Sequence, residues 1–145
     1  MPELTASEFR PDGYFVTGDL ARIDDAGLVE LVGRAKDLII SGGLNVYPIE
    51  VETVIDRIPG IRESAVIGLP HGDLGEAVAA VLALEPNFGK FDTRTVFAIL
   101  KSELAGFKLP KALFVQDVLP RNAMGKIEKA ALRTRYAASF AEEVK

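Results

Sequence analysis

The chain has 145 residues, a length that fits one domain of common size or one domain with a short appended segment. Its composition, 48% hydrophobic and 26% charged, is ordinary for a globular protein that buries a core. The net charge of -4 argues against a general nucleic-acid-binding surface, which would be basic. There is no cysteine and only one histidine, which excludes disulfides and cysteine-ligated zinc and argues against a histidine-based metal site.

Membrane insertion and secretion find no support in the sequence. No apolar run approaches the length of a membrane span, and the polar start MPELTASEF does not have the pattern of a signal peptide. We therefore expect a cytoplasmic protein without a membrane span. Its chemistry is left to lysine, arginine, carboxylates and backbone amides.

Residues 1–36 are predicted to form a polar lead-in followed by a β-hairpin. Two strand-like stretches within residues 14–32 flank the turn Asp24-Asp25-Ala26-Gly27. The short polar sequence GRAK (33–36) then interrupts the pattern. We place a domain boundary there, so that residues 37–145 form a second domain.

The second domain is predicted to follow the order β-α-β-β-α-β, then a turn and a final helix. The predicted elements are a strand at 37–41, a helix from Pro48 to Ile58, strands at 65–69 and 77–84, a helix capped by Asp92 or Thr93 and stopped by Gly106, a strand at 112–118, and a helix with Leu132, Tyr136 and Phe140 on one face. About seven residues join the two central strands, too few for a parallel crossover, so these strands are predicted to be antiparallel neighbours. The fold class is α+β: a compact two-layer domain with a small mixed or antiparallel sheet, helices on one face, and a preceding β-hairpin segment.

The segment YFVTGDL (14–20) is the first candidate for chemistry. Asp19 closes a Thr-Gly-Asp turn after a strand, where a carboxylate can accept hydrogen bonds from vicinal hydroxyls such as those of a ribose. The alternative is a turn whose aspartate caps local amides, and the residues alone favour that alternative.

The segment GRAKDLIISGGLNVYP (33–48) is the second candidate. Arg34 offers a planar fork of donors that suits phosphate or ribose oxygens, and Lys36 adds a mobile charge beside it. Gly42 and Gly43 leave backbone without side chains, which permits the close approach of a narrow ligand. A solvated charged turn followed by a glycine turn explains the same residues.

The segment LPRNAMGKIEK (119–129) is the third candidate. Gly125 permits a tight turn that projects the ammonium group of Lys126, and Ile127 can anchor the loop in the apolar body. A positioned lysine can neutralise charge that develops between a carboxylate and a phosphate. The segment is not a P-loop, and a lysine in a turn is more often simply a surface residue.

The four segments YFVTGDL, GRAKDLIISGGLNVYPIEVE, FKLPK and LPRNAMGKI occur in the order and approximate spacing seen at the C-terminal end of one enzyme family. From about Phe9 to Leu132 the chain resembles the C-terminal end of the adenylate-forming acyl-CoA synthetases, the AMP-binding enzyme family. Within that family the segments SGGLNVYP, AVIGLPHGDLGEAV and LPRNAMGKI resemble malonyl-CoA synthetases most, and other short- and medium-chain acyl-CoA synthetases next. Such enzymes make an acyl-AMP and pyrophosphate from a carboxylic acid and ATP with Mg²⁺, and coenzyme A then displaces AMP.

The resemblance implies a role for four residues at the nucleotide. Asp19 would bind the ribose hydroxyls of ATP or AMP, and Arg34 would contact the same nucleotide near its ribose and phosphate. Asn45 matches a position that approaches the adenylate. Lys36 matches the hinge position between the two domains of the family and is also assigned to the nucleotide; many relatives have aspartate there, but lysine is a known alternative.

The resemblance also implies the thioester and adenylation sites. Ser41, Gly42 and Gly43 match the loop that lines the pantetheine tunnel for coenzyme A. Lys126 matches the catalytic lysine of adenylation, which bridges the acyl carboxylate and the phosphate. The family usually has threonine where this chain has Asn122, a mild departure because either side chain can form local hydrogen bonds.

The resemblance implies that a large N-terminal domain is missing from this sequence. That domain would hold the small carboxylic acid, most of the nucleotide and the Mg²⁺ site, so we expect no metal site in this chain. Met1 then looks like an artificial or truncated start, and the fragment is predicted to be inactive alone. Two alternatives remain: an acid-activating domain that loads a carrier protein, and a non-catalytic interaction module that kept the fold.

Overall fold

The computed structural model describes residues 8–86, 88 and 91–140, and the chain divides into two compact units between Lys36 and Asp37. The first unit is an antiparallel hairpin of β1 (Asp19–Ile23) and β2 (Val29–Arg34). Its turn is held by Asp24, whose Oδ1 accepts hydrogen bonds from the backbone amides of Ala26 (2.9 Å) and Leu28 (2.8 Å). This confirms the predicted β-hairpin segment.

The second unit contains five strands and three helices among the described residues. Its elements are β3 (Ile39–Ser41), β4 (Leu44–Val46), α1 (Pro48–Ile55), β5 (Ile61–His71), β6 (Gly75–Leu84), α2 (Thr93–Glu103), β7 (Ala112–Gln116) and α3 (Lys129–Tyr136). Short 3-10 turns occupy Ala35–Asp37 and Gly106–Lys108. Asp92 caps α2 by accepting a hydrogen bond from the amide of Arg94, and the side-chain hydrogen bond from Arg94 lowers the pKa of Asp92.

The strands of the second unit form one mixed sheet around β6. Antiparallel β5 pairs with β6 along its whole length, as the short connection predicted, while β7 pairs with β6 in parallel. The small β3–β4 hairpin joins the sheet where Ser41 pairs with Gly75. Since β7 follows β6 through α2, the connection is long enough for a parallel crossover.

Both faces of the sheet are covered, which differs from the predicted two layers. One face packs against α1 and α2 through a core that includes Ile55, Val66 and Leu100. The opposite face carries a second core, in which Leu132 of α3 packs with Ile67. The prediction that all helices lie on one face was therefore wrong, although the α+β class and the mixed sheet are confirmed. The physical reason is that β5 and β6 are apolar at successive positions, so each strand has two apolar faces to bury.

Several element bounds also differ from the sequence expectation, among them those of β5, which spans Ile61–His71 rather than 65–69. Helix α1 ends at Ile55 rather than Ile58, although Ile58 remains buried just beyond it. The strand β3 is followed by an antiparallel partner, β4, which the sequence analysis did not predict. The chain can reverse between them because both turn positions are glycine. No helix in the described part of the chain is long and apolar enough to cross a membrane.

The β3–β4 turn depends on a left-handed backbone at Gly42 (φ 57°) and Gly43 (φ 79°). We expect Gly43→Val to destabilise the chain by about 1–2 kcal/mol, because a side chain at positive φ meets the following carbonyl oxygen. Gly43→Asn is the matched control and should cost clearly less, since asparagine tolerates this conformation in hairpin turns. Urea unfolding followed by circular dichroism measures both, and equal losses for the two variants would contradict a backbone origin.

Candidate functional site

The turn that carries Lys126 lies between β7 and α3 and is closed by its own backbone. Arg121 and Ile127 form an isolated antiparallel bridge, and the Asn122 amide donates to the Lys126 carbonyl at 2.9 Å. The Oδ1 of Asn122 accepts hydrogen bonds from the amides of Met124 and Lys126, each at 3.0 Å. Asn122 thus forms local hydrogen bonds within the turn, as predicted for the residue that replaces the usual threonine.

The side chain of Lys126 is exposed at the surface of the second unit. Gly125 takes a φ of 77°. Ile127 is partly buried against the second core and so anchors the turn, as predicted. Within the described residues the Lys126 ammonium has neither an ion pair nor a hydrogen bond, so its charge is available to a ligand.

Asp19 and Arg34 are brought together in the first unit. They are register partners across β1 and β2, and the Nε of Arg34 lies 2.8 Å from the Oδ1 of Asp19. The Nη1 of Arg34 also donates to the carbonyl oxygen of Thr17 at 2.7 Å. A carboxylate has two oxygens and several acceptor positions, so Asp19 can still accept from a hydroxyl.

The cleft beside Arg34 measures about 380 Å³. It is lined by Thr17, Gly18, Arg34 and Lys36 among others, all from the first unit. Lys36 is exposed within the 3-10 turn Ala35–Asp37. The cleft combines the cations Arg34 and Lys36 with the carboxylate of Glu8 in its lining, and Asp19 is paired with Arg34, a composition that suits a phosphorylated, hydroxyl-bearing ligand.

The predicted coenzyme A loop lies on the β3–β4 hairpin of the second unit. Gly42 and Gly43 are exposed, and the Gly42 amide donates to the carbonyl oxygen of Leu74 at 2.9 Å. Asn45 is exposed and pairs with Ile40 across the hairpin. Ser41 is 7% exposed, so a ligand at this turn would meet glycine backbone rather than the serine hydroxyl.

The structure does not bring Lys126 and the glycine turn together. The Lys126 turn is tied to Glu63 near the start of β5, whereas the glycine turn is bonded beside Gly75, which pairs with His71 at the end of β5. Eight residues of strand at about 3.3 Å each separate those two ends by roughly 26 Å. The two loops therefore lie at different places along the second unit.

Two residues that hold the Lys126 turn in place, Arg121 and Glu63, were not identified in the sequence analysis. The Nη1 of Arg121 donates to the Gly125 carbonyl oxygen at 2.6 Å, and its Nη2 forms an ion pair with Glu63. Glu63 lies 58 residues before Arg121, so no local pattern could link them. The segment PHGDLGE (70–76) contains the connection between β5 and β6, where the Asp73 amide donates to the Nδ1 of His71 at 3.2 Å.

Metal binding has no candidate in the described part of the chain. No group of three or more histidine, aspartate or glutamate side chains there is arranged to hold an ion. We therefore assign no described residue to Mg²⁺.

A sequence model of the AMP-binding enzyme C-terminal domain matches residues 50–126, which is more than half of the chain and ends on Lys126. The chain belongs to this family. The match contains β5, β6, α2 and β7, so it covers three of the five strands of the mixed sheet described above.

Relatives of this AMP-binding C-terminal domain include named ligases. Long-chain-fatty-acid–CoA ligase FadD13 of Mycobacterium tuberculosis is 44% identical over 138 residues, 95% of this chain and 27% of the relative. ATP-bound MatB from Rhodopseudomonas palustris is 51% identical with a TM-score of 0.86, over 97% of this chain and 28% of that one. The o-succinylbenzoate CoA synthetase from Bacillus subtilis, in complex with its acyl-adenylate intermediate, is 36% identical with a TM-score of 0.78, over 90% and 25% of the two chains.

The chain thus spans about a quarter of the length of the relatives it matches. The similarity reaches beyond the family match to nearly the whole chain, including the hairpin unit.

Proposed function

We propose that this chain is the mobile C-terminal domain, with its preceding hairpin, of an ATP-dependent acyl-CoA synthetase that acts through an acyl-AMP. The observation that carries the proposal is the exposed Lys126 on a hydrogen-bonded turn, at the end of the AMP-binding C-terminal match. The relatives named as CoA ligases support the same reaction class.

In the adenylation step Lys126 would sit between the acid and the nucleotide. As the carboxylate oxygen attacks the α-phosphate and pyrophosphate leaves, negative charge is shared between the two reacting groups. A fixed ammonium at that point stabilises the transition state more than the separate substrates. Asp19 and Arg34, already paired in the hairpin unit, would hold the ribose hydroxyls and the phosphate side of the nucleotide.

In the thioester step the β3–β4 turn would replace Lys126 at the same place. Ser41, Gly42 and Gly43 would line the path of the pantetheine arm with backbone, and Asn45 would face the adenylate. The separation of roughly 26 Å along β5 supports an exchange by rotation, because the two loops cannot serve one site together. Lys36, exposed in the 3-10 turn next to the division between the units, would be the hinge.

The partner of this chain would be a larger N-terminal domain that supplies the acid pocket, most of the ATP site and Mg²⁺. Its existence is supported by the share of the relatives that the chain spans. A second support is the hairpin unit, where four apolar side chains are 65–72% exposed: Ile23, Leu28, Val29 and Leu31. Exposed apolar residues that cluster on one small unit mark a surface that another body covers.

The acid we propose is malonate, on the similarity of SGGLNVYP and LPRNAMGKI to malonyl-CoA synthetases and the likeness to MatB. The test is ATP–pyrophosphate exchange by the longer protein with malonate, acetate and a long-chain fatty acid in parallel. We expect the highest kcat/KM with malonate, and no exchange by the 145-residue chain alone. Preference for another acid would overturn malonate only, whereas absence of exchange with every acid would overturn the acyl-CoA synthetase.

The acceptor is tested in the same preparation. With ATP and the preferred acid, we expect a thioester to form on free coenzyme A. Transfer only to a phosphopantetheinylated carrier protein would favour a carrier-loading domain instead. A longer protein that binds ATP without either product would favour an interaction module.

A further inference from the structure

We infer that Arg121, anchored by Glu63, is a positioning residue that fixes the peptide unit on which Lys126 is mounted. The inference rests on the proposed adenylation role of Lys126. The peptide between Gly125 and Lys126 is held at both of its polar atoms. Its carbonyl oxygen accepts from the Nη1 of Arg121 at 2.6 Å, and its amide donates to the Oδ1 of Asn122 at 3.0 Å.

Glu63 connects this clamp to the sheet. It lies on β5, where it pairs with Ala83 of β6 beside a register shift, and its side chain is 19% exposed. The Nη2 of Arg121 forms its ion pair with that carboxylate, so one guanidinium joins the sheet to the turn. A planar guanidinium holds its hydrogen bond to Gly125 and its ion pair with Glu63 in fixed relative directions, which a lysine ammonium cannot do. The position of the turn is thereby fixed relative to β5 and β6, the most extensively paired strands of the unit.

The clamp matters because the rest of the lysine side chain is flexible. Four methylene groups separate the ammonium from the backbone, so a rotation of the peptide plane at the base is amplified at the tip. A misplacement of about 1 Å at a reacting centre can cost roughly 10²-fold in rate. Arg121 would thus act on adenylation through the placement of Lys126, without touching the reacting atoms.

The experiment uses the longer protein with Arg121→Met, Arg121→Lys and Glu63→Gln. We expect Arg121→Met to slow acyl-AMP formation about 10- to 100-fold. Arg121→Lys should recover only part of that loss, since it keeps the charge without the fork. Thioester formation from supplied acyl-AMP should be unchanged in all three variants. Arg94→Met is the matched control, because it removes an exposed arginine–carboxylate pair that does not contact the turn, and both half-reactions should stay at the wild-type rate.

A double-mutant cycle separates positioning from a general structural effect. In a Lys126→Ala background, Arg121→Met should have no further effect on acyl-AMP formation, because the residue it positions is gone. An equal effect in both backgrounds would overturn the inference. Equal slowing of the two half-reactions by Arg121→Met would also overturn the inference.

A second measurement does not depend on activity. In the 145-residue chain, Arg121→Met should speed hydrogen exchange of the Lys126 amide severalfold, while Arg94→Met should not. Unchanged exchange in Arg121→Met would overturn the inference whatever the enzyme does. If wild-type longer protein shows no adenylation, the proposed function fails, and this exchange ratio still decides whether Arg121 fixes the turn.

Discussion

Lys126→Ala in the longer protein is expected to slow acyl-AMP formation by about 10²- to 10³-fold, the usual cost of removing one preorganised charge-stabilising group. The reason is that the ammonium meets charge that develops only as the carboxylate attacks the phosphate. Pyrophosphate exchange at saturating ATP and acid measures the change in kcat. Thioester formation from supplied acyl-AMP should survive, because Lys126 and the Gly42-Gly43 turn lie at opposite ends of β5.

The control for this prediction is Lys111→Ala. Lys111 is also an exposed lysine of the second unit, but its amide is bonded to Val78 at the start of β7, away from the turn. We expect both half-reactions of this variant to proceed at the wild-type rate. Equal loss of the two half-reactions in Lys126→Ala would contradict the exchange of loops, and a change below about tenfold would contradict the catalytic role.

Leu132→Ala is expected to destabilise the chain by about 2–5 kcal/mol, the range for deleting a fully buried leucine side chain. Leu132 of α3 is completely buried against the second face of the sheet, where it packs in the core that contains Ile67 and Val81. Its truncation removes apolar contact and leaves a cavity between the helix and the sheet. Urea unfolding of the chain, followed by circular dichroism, measures the loss in the free energy of unfolding.

Leu44→Ala provides the comparison, because Leu44 lies in the same unit but is 48% exposed. Its truncation should cost about 1 kcal/mol or less, in proportion to the smaller area withdrawn from water. A similar loss for the two variants would mean that α3 does not cover a core of its own. The sheet would then be packed on one face, as the sequence had suggested.

Local signals predicted much of the fold because they act over a few residues. The hairpin turn at Asp24 follows from the aspartate and glycine in it, and the Asp92 cap and the apolar spacing of Val96 and Leu100 mark α2. The antiparallel β5–β6 pair follows from the length of its connection. The turn at Lys126 was readable in the same way, since Gly125 and Asn122 carry their own turn geometry.

The sequence by itself therefore determined the type of every element except β4, the α+β class and the residues worth testing. The tertiary structure decided which face each helix covers, because strands that are apolar on both faces do not say which helix packs where. It also decided that Glu63 meets Arg121 across 58 residues, and that Lys126 and Gly42 lie at opposite ends of β5. These are long-range relations set by strand pairing and packing, and short-range residue patterns do not encode them.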